Sequence, residues 1–243
     1  MGNFNTDTSF AIILLAALIH ASFQLSVSVL TLMSGHALGN KTAHDRLLRL
    51  TGGFLLGAGV MTLLLVAFIS FVFSQLFASG TPLVLWAASC GAVVGVGVAV
   101  WLFYYRDGRG TGLWLPRGLA RYLDVRSKAT KQAGEAFGLG LTSVITELLF
   151  ILAPMIIASL VLIRLPANQQ LFGILLYTTV SLLPLLIVSV LIGGGHRLSG
   201  IQRWRETNKN FLQFTAGSGL LILGIYVFIE RVIVSSVAAL GVQ

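Results

Sequence analysis

Apolar runs of about twenty residues recur along the whole chain, and no other feature narrows the possible folds as far. Wound as a helix at 1.5 Å per residue, such a run crosses a hydrocarbon core of about 30 Å. Six spans are expected, at roughly 10 to 33, 52 to 77, 82 to 104, 133 to 163, 171 to 193 and 211 to 234. The breaks between them are polar or hold Pro and Gly: SGHALGNKTAHDR, ASGTP, a basic loop from Tyr105 to Gln132, RLPANQQ and GGHRLSGIQRWRETNKN. Composition agrees, with 56% hydrophobic residues against 10% charged and a mean hydropathy of +0.91. No polar segment is long enough to fold separately, so residues 1–243 read as a single polytopic, all-α integral membrane domain.

The net charge of +8 would suggest nucleic acid in a soluble chain, but here the basic residues sit in short loops beside spans. The first, third and fifth loops hold fourteen of the sixteen Lys and Arg, leaving only Arg164 and Arg231 for the other side. By the positive-inside rule those three loops are cytoplasmic and both termini lie outside, in a cell (inner or plasma) membrane. The loop charges then read as topology signals and as contacts to anionic lipid headgroups. There is no basic groove with interleaved aromatics, and no nucleic-acid partner is expected.

Outside the spans the motifs are few. The N-terminal MGNFNTDTSF has no Lys or Arg, so the first span lacks the basic flank of a cleaved signal peptide and is expected to remain as a helix. An outward N-terminus discounts the myristoylation match at Gly2, and a cytoplasmic first loop discounts the glycosylation match at Asn40. In the third loop, PRGLARYLDVRSKATK starts at Pro116 and places Leu119, Tyr122 and Leu123 on one face among basic residues. That pattern suits either a short helix on the inner leaflet or a linker carrying topology charges.

The two halves of the chain resemble each other. Ser28 to Thr31 aligns with Ser143 to Thr146 at an offset of 115, LLGAGVMTLLLV from Leu55 with LLYTTVSLLPLL from Leu175 at 120, and Phe103 and Arg106 with Phe228 and Arg231 at 125. A unit of three spans has its ends on opposite sides, so its duplicate inserts upside down, as the charge count also requires. The repeats are placed at about 10–104 and 133–234, joined by the basic loop at about 105–132. Inverted repeats are common in secondary transporters, which bind substrate near the midplane where the repeats meet.

Glu147 is the one charged residue between Gly138 and Pro154 and falls near the middle of the fourth span. A carboxylate at that depth costs about 3 kcal/mol even on lenient insertion scales and is rarely left without a partner. His20 lies at comparable depth in the first span, with Gln24 four residues on and hence on the same helix face. A His20–Glu147 pair is therefore geometrically possible. Small hydroxyls surround both, including Ser28 and Thr31 in the first span and Thr146 in the fourth, and such groups can hydrogen-bond neighbouring helices or replace water around an ion. Glu147, His20, Gln24, Ser28, Thr31 and Thr146 are the candidate ligands for a solute or ion. Pro154 is expected to break the helix beside them. Gly53 with Gly57 and Gly91 with Gly95 are small-residue pairs suited to close helix packing, and Glu135, Glu230 and Arg231 read as boundary residues.

Catalytic chemistry has no visible carriers. Cys90 is the sole cysteine, which rules out an intramolecular disulfide or a CxxC pair. His36, His44 and Asp45 match no familiar ligand spacing, and no P-loop, GxSxG, HExxH or cofactor fingerprint occurs. No enzyme activity, cofactor or metal is expected.

Six spans, two inverted halves and polar, breakable first and fourth spans (HASFQLSVSVLTLMSG and AFGLGLTSVITELLFILAP) resemble the lysine-exporter superfamily. That superfamily includes amino-acid exporters, metal-ion efflux proteins and the transmembrane electron carriers of cytochrome c biogenesis. The cysteines of the electron carriers, the Gly-Pro-Gly of the exporters and the His/Asp pattern of nickel and cobalt exporters are missing here. What the resemblance implies is transport, with no substrate. The expectation is a secondary transporter or efflux protein for a small solute or ion, with Glu147 as coupling group. The alternative is a membrane-embedded assembly or accessory protein acting through a partner on the basic loop. If the halves share a central cavity, the first and fourth spans should be neighbours, with His20, Gln24 and Glu147 turned inward and Gly217 to Gly219 close by.

Overall fold

The computed structural model describes residues 5–23, 27–30, 41–78, 80–103, 117–194 and 198–239, and all regular structure among them is helical. The helices are α1 (Thr6–Ser22), α2 (Lys41–Leu76), α3 (Leu83–Phe103), α4 (Arg117–Ala129), α5 (Ala133–Leu162), α6 (Ala167–Ser181), α7 (Leu183–Gly193), α8 (Leu198–Thr207), α9 (Lys209–Phe228) and α10 (Val234–Ala239), with a π-helical turn at Ile229–Ile233 before α10. Residues 27–30 are also helical. Gln24, Thr31, His36, Asn40, Pro116 and the N-terminal motif lie outside the described residues.

Among the described residues, four helical stretches are long and apolar enough to cross a membrane: Asp45–Leu76, α3, α5 and Lys209–Val237. A fifth is available if α6 and α7, bent by 51° at Leu182, count as one broken span. The expected first span differs. Its apolar helix α1 has 17 residues and stops at Ser22, so the run expected at roughly 10 to 33 is broken at Phe23, with residues 27–30 helical beyond the break. Outside the bundle, large apolar side chains face outward, among them Leu56, Phe68, Phe71, Leu149, Leu171 and Val190. An apolar surface of this extent suits hydrocarbon as its solvent, and the chain is a membrane protein.

α1 and α5 lie side by side at the centre. α5 also packs against α2 and α3, while α1 packs against α6 and α9; α2 meets α6 and α7, and α3 meets α9. Exchanging α1 with α5, α2 with α6–α7 and α3 with α9 leaves this set of principal packings unchanged. Glycine makes the closest of these approaches possible. A Cβ at Gly57 would land on the carbonyl oxygen of Phe137, one at Gly53 on that of Ala133, and one at Gly140 on that of Phe54, so α2 and α5 touch backbone to backbone. Between α3 and α9, Gly97 meets Leu220 and Gly217, and Gly217 lies under the Trp101 indole. Gly219 packs on Ile19, which ties α9 to α1 as the shared-centre reading requires.

Several local expectations are corrected. Gly91 and Gly95 have no atom within 4 Å of where a Cβ would stand, so that pair makes no close approach among the described residues; Gly97, two residues on and on the other side of the helix, does. α2 begins at Lys41 rather than near residue 52, because Leu47, Leu50 and Phe54 continue its buried stripe at helical spacing. Pro154 does not end its helix: α5 runs on to Leu162, with Pro154 buried among neighbours that hold the segment helical. Arg231, expected at a boundary as a solvated or snorkelling residue, is only 8% exposed and its guanidinium lies 5.3 Å from the Trp86 ring centroid. The π turn inserts an extra residue there and carries Arg231 inward against α3, which leaves Glu230 exposed.

These contacts give a paired test in detergent-solubilised protein. Gly57→Leu forces α2 off α5 and should cost about 1–3 kcal/mol of stability, read as a lowered Tm. Gly91→Leu adds its side chain to open space and should leave Tm within experimental scatter.

Candidate functional site

The site forms where two helices stop short. Ser22 turns its hydroxyl back onto the Ile19 carbonyl at 2.6 Å, and Phe23 is extended, with its N–H donating to the His20 carbonyl at 3.1 Å. These local bonds close α1 at Ser22, two residues after His20. On the other side of the centre, Pro184 is the second residue of α7: it lacks an N–H, and its ring crowds the carbonyl four residues back. α6 therefore ends at Ser181 and the chain turns by 51°. The ring of Phe23 stacks on Phe150 at 5.5 Å between centroids, which fixes the α1 break against α5.

His20 and Glu147 meet between these breaks. His20 Nε2 lies 4.0 Å from Glu147 Oε2, and the two residues are 4% and 3% exposed. That distance allows an ion pair but is too long for a hydrogen bond. On its other edge, His20 Nδ1 is 3.1 Å from the hydroxyl of fully buried Tyr177 on α6. When Tyr177 donates to Nδ1, the proton of a neutral imidazole sits on Nε2 and faces the carboxylate.

His20 and Glu147 border a cavity of about 20 Å³, whose other walls include Phe23, Thr62, Ser181 and Pro184. This is about the room that one water needs. Ser181 donates its hydroxyl to the Thr178 carbonyl at 2.9 Å. Thr62, on α2, is 1% exposed and its hydroxyl has no hydrogen-bond partner among the described residues. A buried hydroxyl left in this way costs about 1–3 kcal/mol, and here it lines the same small space as a carboxylate and an imidazole. Such an arrangement can hold one water-sized polar guest and can pass a proton between Glu147 and that guest.

The other candidate ligands fall elsewhere. Thr146 is buried but spends its hydroxyl on the Ser143 carbonyl at 2.6 Å, and it does not border the cavity. Ser28 is half-buried and also away from the cavity walls, while Gln24 and Thr31 lie outside the described residues. Sequence reasoning missed Tyr177 and Thr62. Tyr177 had a signal, since it opens the Tyr-Thr-Thr run that precedes Pro184; Thr62 is a lone hydroxyl in an apolar run, and only the fold reveals its position.

No family model matches this chain, and neither curated proteins nor solved structures give a match.

Thr62 separates stability from use of the site. Thr62→Val replaces the unpartnered hydroxyl with a methyl of the same shape and should raise stability by about 1 kcal/mol. Thermal unfolding in detergent reads this directly, and a loss of stability would mean that the hydroxyl is already satisfied.

Proposed function

We propose that the chain is a six-span secondary transporter or efflux protein of the cell (inner or plasma) membrane, moving a small solute or ion with Glu147 as its proton-coupling group. In this reading α1 with residues 27–30 is the first span and α6–α7 the fifth. Both termini are outside, because fourteen of sixteen basic residues fall in the three loops then assigned to the cytoplasm. The halves are inverted repeats: the packing set maps onto itself when corresponding spans are exchanged, and α1 and α5, first in each half, share the centre. The architectural resemblance to the lysine-exporter superfamily points the same way.

The observation that carries the proposal is the meeting of Glu147 and His20, from corresponding spans, at a water-sized cavity beside two helix breaks. Transporters place binding groups at such discontinuities because the interrupted backbone and the polar side chains serve each other. The cavity's size matters too. At about 20 Å³ it admits a water, a hydronium or a small cation, so a larger solute has to enter by movement of the broken segments. The bend at Leu182 is the natural hinge, since α7 swings there without breaking further hydrogen bonds of α6. Glu147 then gives up or takes a proton as the cavity opens to one side or the other, and no catalytic step is involved.

Proteoliposomes loaded with a pH-reporting dye test this against a panel of inorganic ions and small solutes. The wild type should show solute-dependent proton movement for at least one member. Glu147→Gln, which keeps the shape of the side chain, should abolish that movement while the protein stays folded. Unchanged proton movement in this variant would remove Glu147 from the mechanism.

A further inference from the structure

A second and larger cavity, about 300 Å³, opens between α4 and the start of α5. One wall is a single face of α4, formed by Tyr122, Arg126 and Ala129 and continued by Thr130. The opposite wall is a face of α5, where Gly134, Gly138 and Thr142 recur every fourth residue beside Glu135 and Leu139. A Cβ at Gly134 or Gly138 would meet nothing within 4 Å, so the glycines form the floor of a groove rather than a packing contact. Leu123 and Ser127, on the neighbouring face of α4, are 3% and 1% exposed and seat that helix.

The charges on the two walls are opposite, and they act on each other through space without a contact ion pair. Glu135 caps its own helix: its Oε2 accepts from the backbone N–H of Lys131 at 2.7 Å and of Gln132 at 3.3 Å. Its Oε1 is left for another donor. Arg126 lends its carbonyl to Thr130, while its guanidinium makes no hydrogen bond or ion pair among the described residues. An anion held by its helix cap and an exposed cation facing one polar space suit a compact zwitterion, whose own charges meet both walls at once. The groove then continues from Gly134 through Gly138 to Thr142, about 12 Å along a helix that enters the hydrocarbon. A soluble zwitterion needs no such extension; a lipid does.

We propose that this groove binds one aminophospholipid of the inner leaflet, with the phosphate on Arg126, the primary ammonium on Glu135 Oε1 and the glycerol backbone over Gly138. The site holds α4 against α5 and leaves the Glu147 cavity untouched, so it rests on the membrane orientation given above but not on transport.

The full chain in detergent is titrated with phosphatidylethanolamine, phosphatidylcholine, phosphatidylglycerol and water-soluble glycerophosphoethanolamine, and binding is followed by native mass spectrometry and thermal shift. Phosphatidylethanolamine should bind about tenfold more tightly than either other lipid, because only it offers both an anion and a hydrogen-bonding ammonium. Glu135→Gln keeps an acceptor for the helix cap and should erase that preference. Arg126→Ala, on an exposed helix, should weaken all phospholipids. Gly138→Leu, whose Cβ meets no atom within 4 Å, fills the groove and should abolish retention of lipid, whereas Gly95→Leu, at an equally open glycine on α3, should not. The proposal is overturned if phosphatidylethanolamine and phosphatidylcholine bind alike, if Glu135→Gln keeps the preference, if Gly138→Leu retains lipid, or if the soluble headgroup binds as tightly as the lipid.

Discussion

A carboxyl group held among apolar helices needs polar company, and the centre of this bundle is arranged around that need. Glu147 reaches its depth on the most enclosed helix, α5, and the imidazole that approaches it comes from α1. Tyr177 then orients the imidazole from α6, and Thr62 brings a hydroxyl from α2. Glu147, His20 and Thr62, with Ser181 of α6, thus border a space no larger than a water needs, and Tyr177 lies behind the imidazole. The apolar residues around them exclude solvent, which strengthens every interaction inside and makes any unsatisfied group expensive.

Close backbone contact is what allows so many helices to reach one point. Gly53, Gly57 and Gly140 let α2 lie directly on α5, and Gly217 and Gly219 bring α9 against α3 and α1. Between helices in hydrocarbon, association depends on such packing, because lipid tails are as apolar as the side chains they replace. α2 and α5 are locked backbone to backbone, whereas α1 stops at Ser22 and α6 at Ser181, each beside the cavity.

Much of this was legible in the sequence, for identifiable reasons. Long apolar runs specify membrane helices by length alone, and a lone acid such as Glu147 stands out because its cost at that depth is large. His20 was singled out by its expected depth on the span read as the counterpart of the one carrying Glu147, and it lies 4.0 Å from that residue. The helix breaks were harder to place: Pro154 carries the usual breaking signal but sits inside α5, while the actual breaks depend on Ser22 back-bonding and on Pro184 falling near the start of α7. Thr62 and the Arg231–Trp86 contact were invisible, since each follows from which helix faces which, and an apolar sequence says little about that. Gly91 and Gly97 make the same point, as identical residues six positions apart face open space in one case and a neighbouring helix in the other.

The account rests on α1 and α5 presenting His20 and Glu147 to each other inside a bilayer. Solid-state NMR on protein reconstituted in lipid, with ¹⁵N in histidine and ¹³C in glutamate carboxyl groups, measures that approach directly. The expected result is a recoupling signal between His20 Nε2 and the Glu147 carboxyl carbon, consistent with the 4.0 Å separation of Nε2 and Oε2 and lost in Glu147→Gln prepared without carboxyl label at that position. Absence of that signal in the wild type, with both residues otherwise well resolved, would contradict the shared site and the mechanism built on it.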